Sequence, residues 1–175
     1  MTRISKLAST VPALALAGLL LLPAAGHAQA QKATARDTSF LQDQAQGTAY
    51  EMAIARLALE KAQRPAIKTY AQAVIADHDQ LDAQLKMVAR IKGVELPADM
   101  TAKQETDLAR LQGLSGPAFD QAYTQETVRI NAQDKNEDEK QFSETQDQTI
   151  RQFVQQLQAS DKKHLEAGEA LKQTN

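Results

Sequence analysis

The sequence predicts an all-α protein: an antiparallel four-helix bundle with an extra short helix between helices 2 and 3. Three observations predict it. From Thr38 onward Ala, Gln, Glu, Lys and Leu dominate and runs of β-branched residues are absent, a composition that loses little on entering a helix. Apolar residues recur at steps of three, four or seven in four long stretches, as one helical face requires. Pro65, Gly93, Pro97, Gly113, Gly116 and Pro117 punctuate the chain between those stretches.

The first thirty residues are not read as fold. Arg3 and Lys6 precede an apolar run from Val11 to Leu22, and small residues then lead to Gly26-His27-Ala28 and Ala28-Gln29-Ala30. This is the layout of a secretory signal, cleaved after Ala28 or Ala30. The apolar run falls short of the roughly 20 residues that a membrane span needs. Residues 1–28 are therefore expected to be a signal peptide, 29–38 a disordered lead and 39–173 a single domain. The expected location is the periplasm of a Gram-negative bacterium, with no stable membrane insertion after cleavage.

Removal of the signal leaves 147 residues with 18 basic and 22 acidic side chains. A mildly acidic chain with no basic cluster lacks the electrostatic footprint of a nucleic-acid binder. It has no cysteine, so disulfides, thiolate metal sites and thiol nucleophiles are excluded. With no tryptophan and 4% aromatic residues, its core is built from Ala, Leu, Ile and Val.

The first long helix is expected over Ser39 to Gln63, with Leu41, Ala45, Met52, Ala55, Leu59 and Ala62 on its apolar face. Pro65 ends it and suits the first turn of the next helix, so these two should be antiparallel neighbours. The second, Ala66 to Lys92, carries the cleanest stripe: Ile67, Tyr70, Ala71, Val74, Leu81, Leu85, Val88 and Ala89. Gly93 suits its C-terminus. A short helix follows over Thr101 to Gln112, with Asp99 as its expected cap. The third long helix spans Pro117 to Ser143 and starts with Phe119, Ala122, Tyr123 and Ile130 on one side. Its second half, Gln133 to Gln141, has six charged residues and reads as a solvated or frayed helix. The fourth, Asp147 to Gln173, buries Ile150, Phe153, Val154, Leu157, Leu165 and Leu171. Short connections predict up-and-down order.

Polar residues interrupt every one of these apolar faces. Glu51 stands among Ile54, Ala55 and Ala58, and His78 lies between Val74 and Leu81. Glu126 lies between Tyr123 and Ile130, while Asp161 and His164 fall among Val154, Leu157, Leu165 and Gly168. Bundle-core metal sites want such residues: carboxylates on separate helices and acid-x-x-His pairs, whose i, i+3 spacing puts both donors on one face. Asp161-x-x-His164 has that spacing. His78 lacks a partner, because Ile75 precedes it by three and Asp77 points about 100° away. The candidate metal ligands are thus Glu51, His78, Glu126, Asp161 and His164, short of a dinuclear set and suited to one Fe, Mn or Zn ion. The same residues serve equally as a hydrogen-bonded network in which each buried charge meets a partner. Motifs for phosphate binding, nucleophilic serine or H-E-x-x-H zinc are absent, and no catalytic residue is assigned. Tyr50, Tyr70 and Tyr123 read as packing.

The ordered segments Phe40-Leu41, Glu51-Met52-Ala53, Leu57 to Ala62, Tyr70-Ala71, Ala76-Asp77-His78, Lys92 to Pro97 and His164-Leu165 resemble an exported bacterial family, domain of unknown function 4142. The resemblance spans Ser39 to Leu171 and implies a ferritin-like fold. It also implies polar positions at Glu51, His78 and His164, and a further histidine eight residues after an aromatic on the third long helix. Asn131 stands there in this sequence, so the resemblance implies an incomplete ligand set. The reading the sequence favours is a non-enzymatic, stress-associated binding or structural protein, acting as a homo-oligomer or with an envelope protein partner. The alternative is a metal-binding ferritin-like protein with a degenerate carboxylate/histidine site.

Overall fold

The structure, a computed structural model, describes residues 32–173. The expected signal peptide and the first part of the lead lie outside the described residues. Five helices follow one another: α1 (Ala35–Lys61), α2 (Pro65–Lys92), α3 (Ala102–Gln112), α4 (Gly116–Glu144) and α5 (Gln148–Gln173). The expected second, third and fourth long helices correspond to α2, α4 and α5. Among the described residues no helix is long and apolar enough to cross a membrane.

Each helix starts where local chemistry satisfies its first amides. Helix α1 begins four residues before the expected Ser39, inside the stretch read as a lead. Thr34 and Asp37 form a capping box there, with the Thr34 hydroxyl accepting from the Asp37 amide and the Asp37 carboxylate accepting from the Thr34 amide. Buried Gln141 of α4 ties that box to the bundle by donating to Asp37 Oδ1 at 2.6 Å. Thr101, with Gln104, caps α3 in place of the expected Asp99. Gly93 closes α2 at φ 68°, a left-handed conformation that side-chain-bearing residues resist. Asp147 caps α5 by accepting from the amides of Thr149 and Ile150, and its second oxygen takes the ammonium of buried Lys92.

The long helices form a ring in which α1 and α5 each pack against both α2 and α4. Their order is not up-and-down. Asp120, near the start of α4, accepts hydrogen bonds at 3.0 Å from the amides of Gln63 and Arg64, where α2 starts. Helices α2 and α4 therefore begin at the same end. Residues 93–115 carry the chain back along α1: Gln42 and Gln46 donate to the carbonyls of Glu95 and Asp99, and Lys61 to those of Gln112 and Leu114. One long crossover replaces the expected short connection, yet all four ring neighbours remain antiparallel.

The core has two apolar halves. One gathers Ile54, Ala58, Ile67, Val74, Leu111, Phe119 and Tyr123, among others, where Phe119 and Tyr123 stack at 6.0 Å and Tyr70 meets Tyr123 edge-on at 6.3 Å. The other gathers residues such as Phe40, Leu41, Leu85, Ile150, Phe153 and Leu157. On all four helices buried polar residues lie between these halves.

Two glycines inside helices have opposite surroundings. A Cβ at Gly47 of α1 would meet nothing within 4 Å, whereas one at Gly168 of α5 would lie 2.9 Å from the Val128 Cγ2 methyl of α4. Gly47→Ala should therefore stabilise the fold by about 1 kcal/mol through helix propensity. Gly168→Ala should destabilise it by about 1–3 kcal/mol through overpacking. Urea unfolding of the two variants checks this, and the same sign for both would contradict the close approach of α5 to α4.

Candidate functional site

The polar layer between the two apolar halves is supplied by four helices. Helix α1 contributes Glu51 and α2 contributes His78, each one turn from an apolar neighbour, Ile54 and Val74 respectively. Helix α4 contributes Asn131, Asp134 and Asp138, which continue its inward face at steps of three and four from Tyr123 and Thr127. Helix α5 contributes Asp161 and His164. Of these seven, all but Asp134 are buried, and Asp138 has no exposure at all.

The two imidazoles lie next to each other, with ring centroids 5.7 Å apart. His78 Nε2 sits 3.5 Å from Glu51 Oε2, an attraction between opposite charges rather than an aligned hydrogen bond. His164 Nε2 meets Asp77 Oδ2 at 2.8 Å, and Lys163 Nζ reaches the same oxygen at 2.6 Å. With the Nε2 proton on that bond, His164 Nδ1 is left as a bare, buried lone pair.

Burial dominates the protonation of this layer. It pushes Asp134 up to about 8, helped by the charges of Glu51 and Asp138. Asp138 rises to about 9 through burial and the adjacent Asp161, and Asp161 to about 8 through burial, Glu51 and Asp134. A neutral Asp138 can donate its O–H to Asp161; as a carboxylate, neither of its oxygens has a partner. Burial lowers His78, but Glu51 above all, then Asp134 and Asp77, outweigh it and carry His78 above its ordinary value. His164 falls below its own because burial, with repulsion from His78, outweighs Asp77.

Four of the five residues expected to ligate a metal reach this layer: Glu51, His78, Asp161 and His164. Glu126 does not. It lies two turns before Asp134 on α4, about 12 Å along the helix axis, and its carboxylate is already satisfied. Tyr50 Oη donates to it at 2.9 Å, Arg129 binds both oxygens at 2.7 and 3.2 Å, and Arg110 stands 3.6 Å away. Burial raises it, but Arg129 and Tyr50 outweigh that and hold it below the usual carboxylate range. Asp77, set aside because it diverges from His78, instead reaches across to α5 and orients His164.

Asp134 and Asp138 were hidden in the stretch read as solvated or frayed. That stretch is continuous helix, with Asp138 and Gln141 fully buried. Its signal was spacing rather than polarity, since Tyr123, Thr127, Asn131, Asp134, Asp138 and Gln141 keep one helical face throughout. Buried atoms without a hydrogen-bond partner include Glu51 Oε2 and His78 Nε2, which face each other only as an ion pair, His78 Nδ1, His164 Nδ1 and, when Asp138 is ionised, both of its oxygens. Such orphaned oxygen and nitrogen donors are the chemistry a dication requires, and with Asp134 and Asp161 they make four carboxylates and two imidazoles. Among the described residues no three of these side chains are already gathered around a single point.

Fold and site together define a ferritin-like four-helix bundle with a middle layer of acids and imidazoles. The chain belongs to the family described as domain of unknown function DUF4142, whose model matches residues 22–171. It is also similar in structure to a DUF305 fragment from Deinococcus radiodurans, with a TM-score of 0.72 and 13% identity. That match covers 81% of this chain and 97% of the other, and at this identity it shows the fold alone. No curated protein matches the chain.

The raised acids make the stability of the cation-free protein depend on pH. Between pH 5 and about 8 these aspartates are ionised in the unfolded chain but hold protons in the folded one. The folded state then binds more protons, and stability falls as pH rises. His78, also raised, acts in the same sense as pH passes its folded value, while the lowered His164 opposes it below about pH 6.5 without cancelling the three aspartates. The lowered Asp37, Asp77 and Glu126 have delivered their contribution by pH 5. Asp138→Asn copies the neutral carboxyl and should flatten the slope by up to about 1.4 kcal/mol per pH unit. Urea unfolding in a chelator at pH 5, 6.5 and 8 measures it; stability rising across that window would mean the layer is hydrated and ionised.

Proposed function

We propose that this protein binds a divalent transition-metal cation, Fe, Mn or Zn, in the acid and imidazole layer of its bundle. The observation that carries the reading is the set of orphaned atoms on Glu51, His78, Asp138 and His164. A purely structural polar network stabilises a core when each member is satisfied, and half-satisfied networks cost more than apolar packing. A dication would give one nitrogen of each imidazole and the carboxylate oxygens a partner, and would take the place of the protons on the aspartates. Two imidazoles among carboxylates, with no thiolate, suit these metals. Bound iron or manganese would add one-electron chemistry, and zinc only Lewis acidity.

The remaining features favour holding a metal over turning over a substrate. None of the seven residues of the layer is a serine or cysteine, and the chain carries no phosphate-binding motif. The signal-like N-terminus supports action in the periplasm, where a metal-holding bundle would serve in stress tolerance. Asp77, which fixes the tautomer of His164, supports the same reading, because ligating histidines are commonly oriented through their other ring nitrogen.

Thermal unfolding of the mature chain with Mn, Fe(II) or Zn provides the test. At a free metal concentration 100 times the dissociation constant, binding should add about 2.7 kcal/mol of stability. Asp138→Asn combined with His78→Gln should remove that gain, while Glu126→Gln should keep it. No stabilisation by any of the three metals would leave the layer as a structural network sharing protons.

A further inference from the structure

The layer is not sealed. Of the four neighbouring pairs in the ring, α1 and α4 make the thinnest contact, and a cleft of about 700 Å³ occupies their seam. Glu51 and Asp134 line this cleft and also belong to the layer, so the cleft reaches the candidate ligands. Asp43 of α1 and Glu137 of α4 line it too, close enough that Glu137, after burial, raises Asp43 above the usual carboxylate range. Arg36, at the start of α1, also lines the cleft but is ion-paired with Glu144 at 2.5 Å. The remaining polar lining is amide and hydroxyl, which can solvate a cation without trapping it. Between mouth and ligands α1 has a bare backbone at Gly47, where a Cβ would meet no atom within 4 Å. An ion with a shell of roughly six waters, at about 30 Å³ each, fits in a fraction of this space.

We propose that the α1–α4 cleft is the route by which a hydrated divalent cation reaches the buried layer, with Asp43 and Glu137 attracting it and Gly47 leaving the passage open. This rests on the cation reading above. Acidic side chains at a cleft mouth raise the local cation concentration and speed association in a salt-dependent way. A passage works in both directions, so narrowing it slows arrival and departure alike without moving the equilibrium.

Stopped-flow mixing of the mature chain with Zn, followed by a chromogenic zinc indicator, tests the route. Gly47→Leu, which keeps a good helix former at that position, should lower the association and dissociation rates together by at least tenfold and leave the dissociation constant unchanged. Gly47→Ala should behave as wild type. Asp43→Asn with Glu137→Gln should slow association several-fold and weaken its dependence on salt. Unchanged rates in Gly47→Leu, or a loss of affinity with no change in association rate, would overturn the route while the cation reading stands. A wild-type chain that takes up no Zn, Mn or Fe(II) would instead remove the cation reading, and the route with it.

Discussion

Placing several acids in the middle of a helical bundle is the constraint on which this structure turns. Taking one carboxylate out of water costs several kcal/mol unless a partner meets it. The protein meets that cost completely elsewhere: Glu126 has Arg129, Arg110 and Tyr50, Asp147 has Lys92 and two amides, and Asp120 has the amides of Gln63 and Arg64. Among the described acids and imidazoles, the unpartnered buried atoms all fall in the central layer. The same chain that closes its ends so thoroughly leaves its centre open to a ligand or dependent on protons.

The crossover explains how that centre is built. Because residues 93–115 return along α1, helices α2 and α4 run in one direction and α1 and α5 in the other. Glu51 of α1 therefore meets His78 of α2, and Asp138 of α4 meets Asp161 of α5, at one level. The loop and α3 rest on α1 and α4, so these two helices are held together from outside rather than by a tight seam. Where α5 approaches α4, Gly168 lets the backbones close; Gly47, facing the seam, leaves space. The dense side of the bundle and its open side both reflect where side chains are missing.

The fold was legible in the sequence to within a few residues, because helix periodicity and breakers such as Pro65 and Gly93 act locally. The start of α1 was missed because Thr34 and Asp37 earn their helical state partly from Gln141, 104 residues away in the chain. Direction of travel through residues 93–115 depended on tertiary contacts made by Gln42, Gln46 and Lys61, which no local pattern encodes. The site was half legible. Histidines and lone acids stand out among apolar residues, so Glu51, His78, Asp161 and His164 were recognisable. Glu126 was equally conspicuous and is a satisfied ion pair, since a helical face cannot reveal what a side chain meets. Asp134 and Asp138 were concealed by their neighbours: Lys135, Glu137, Glu139 and Lys140 point to water, and a run of charges masks the two that do not.

Asn131 draws these strands together. The resemblance implied a histidine at that position, and its absence suggested a bundle that had lost a ligand. In the structure the Asn131 amide donates to the carbonyl of Thr127 on its own helix, at 2.8 Å. It thus turns back along α4 and offers the layer only a neutral oxygen. Three and seven residues further on, the same face presents Asp134 and Asp138, and burial presses both toward accepting a proton or a cation. A neutral amide where an imidazole was expected, followed by two acids on the same face, means that α4 offers the layer oxygen atoms only. On the cation reading proposed above, oxygen atoms from α4 would favour manganese over the metals that imidazole prefers.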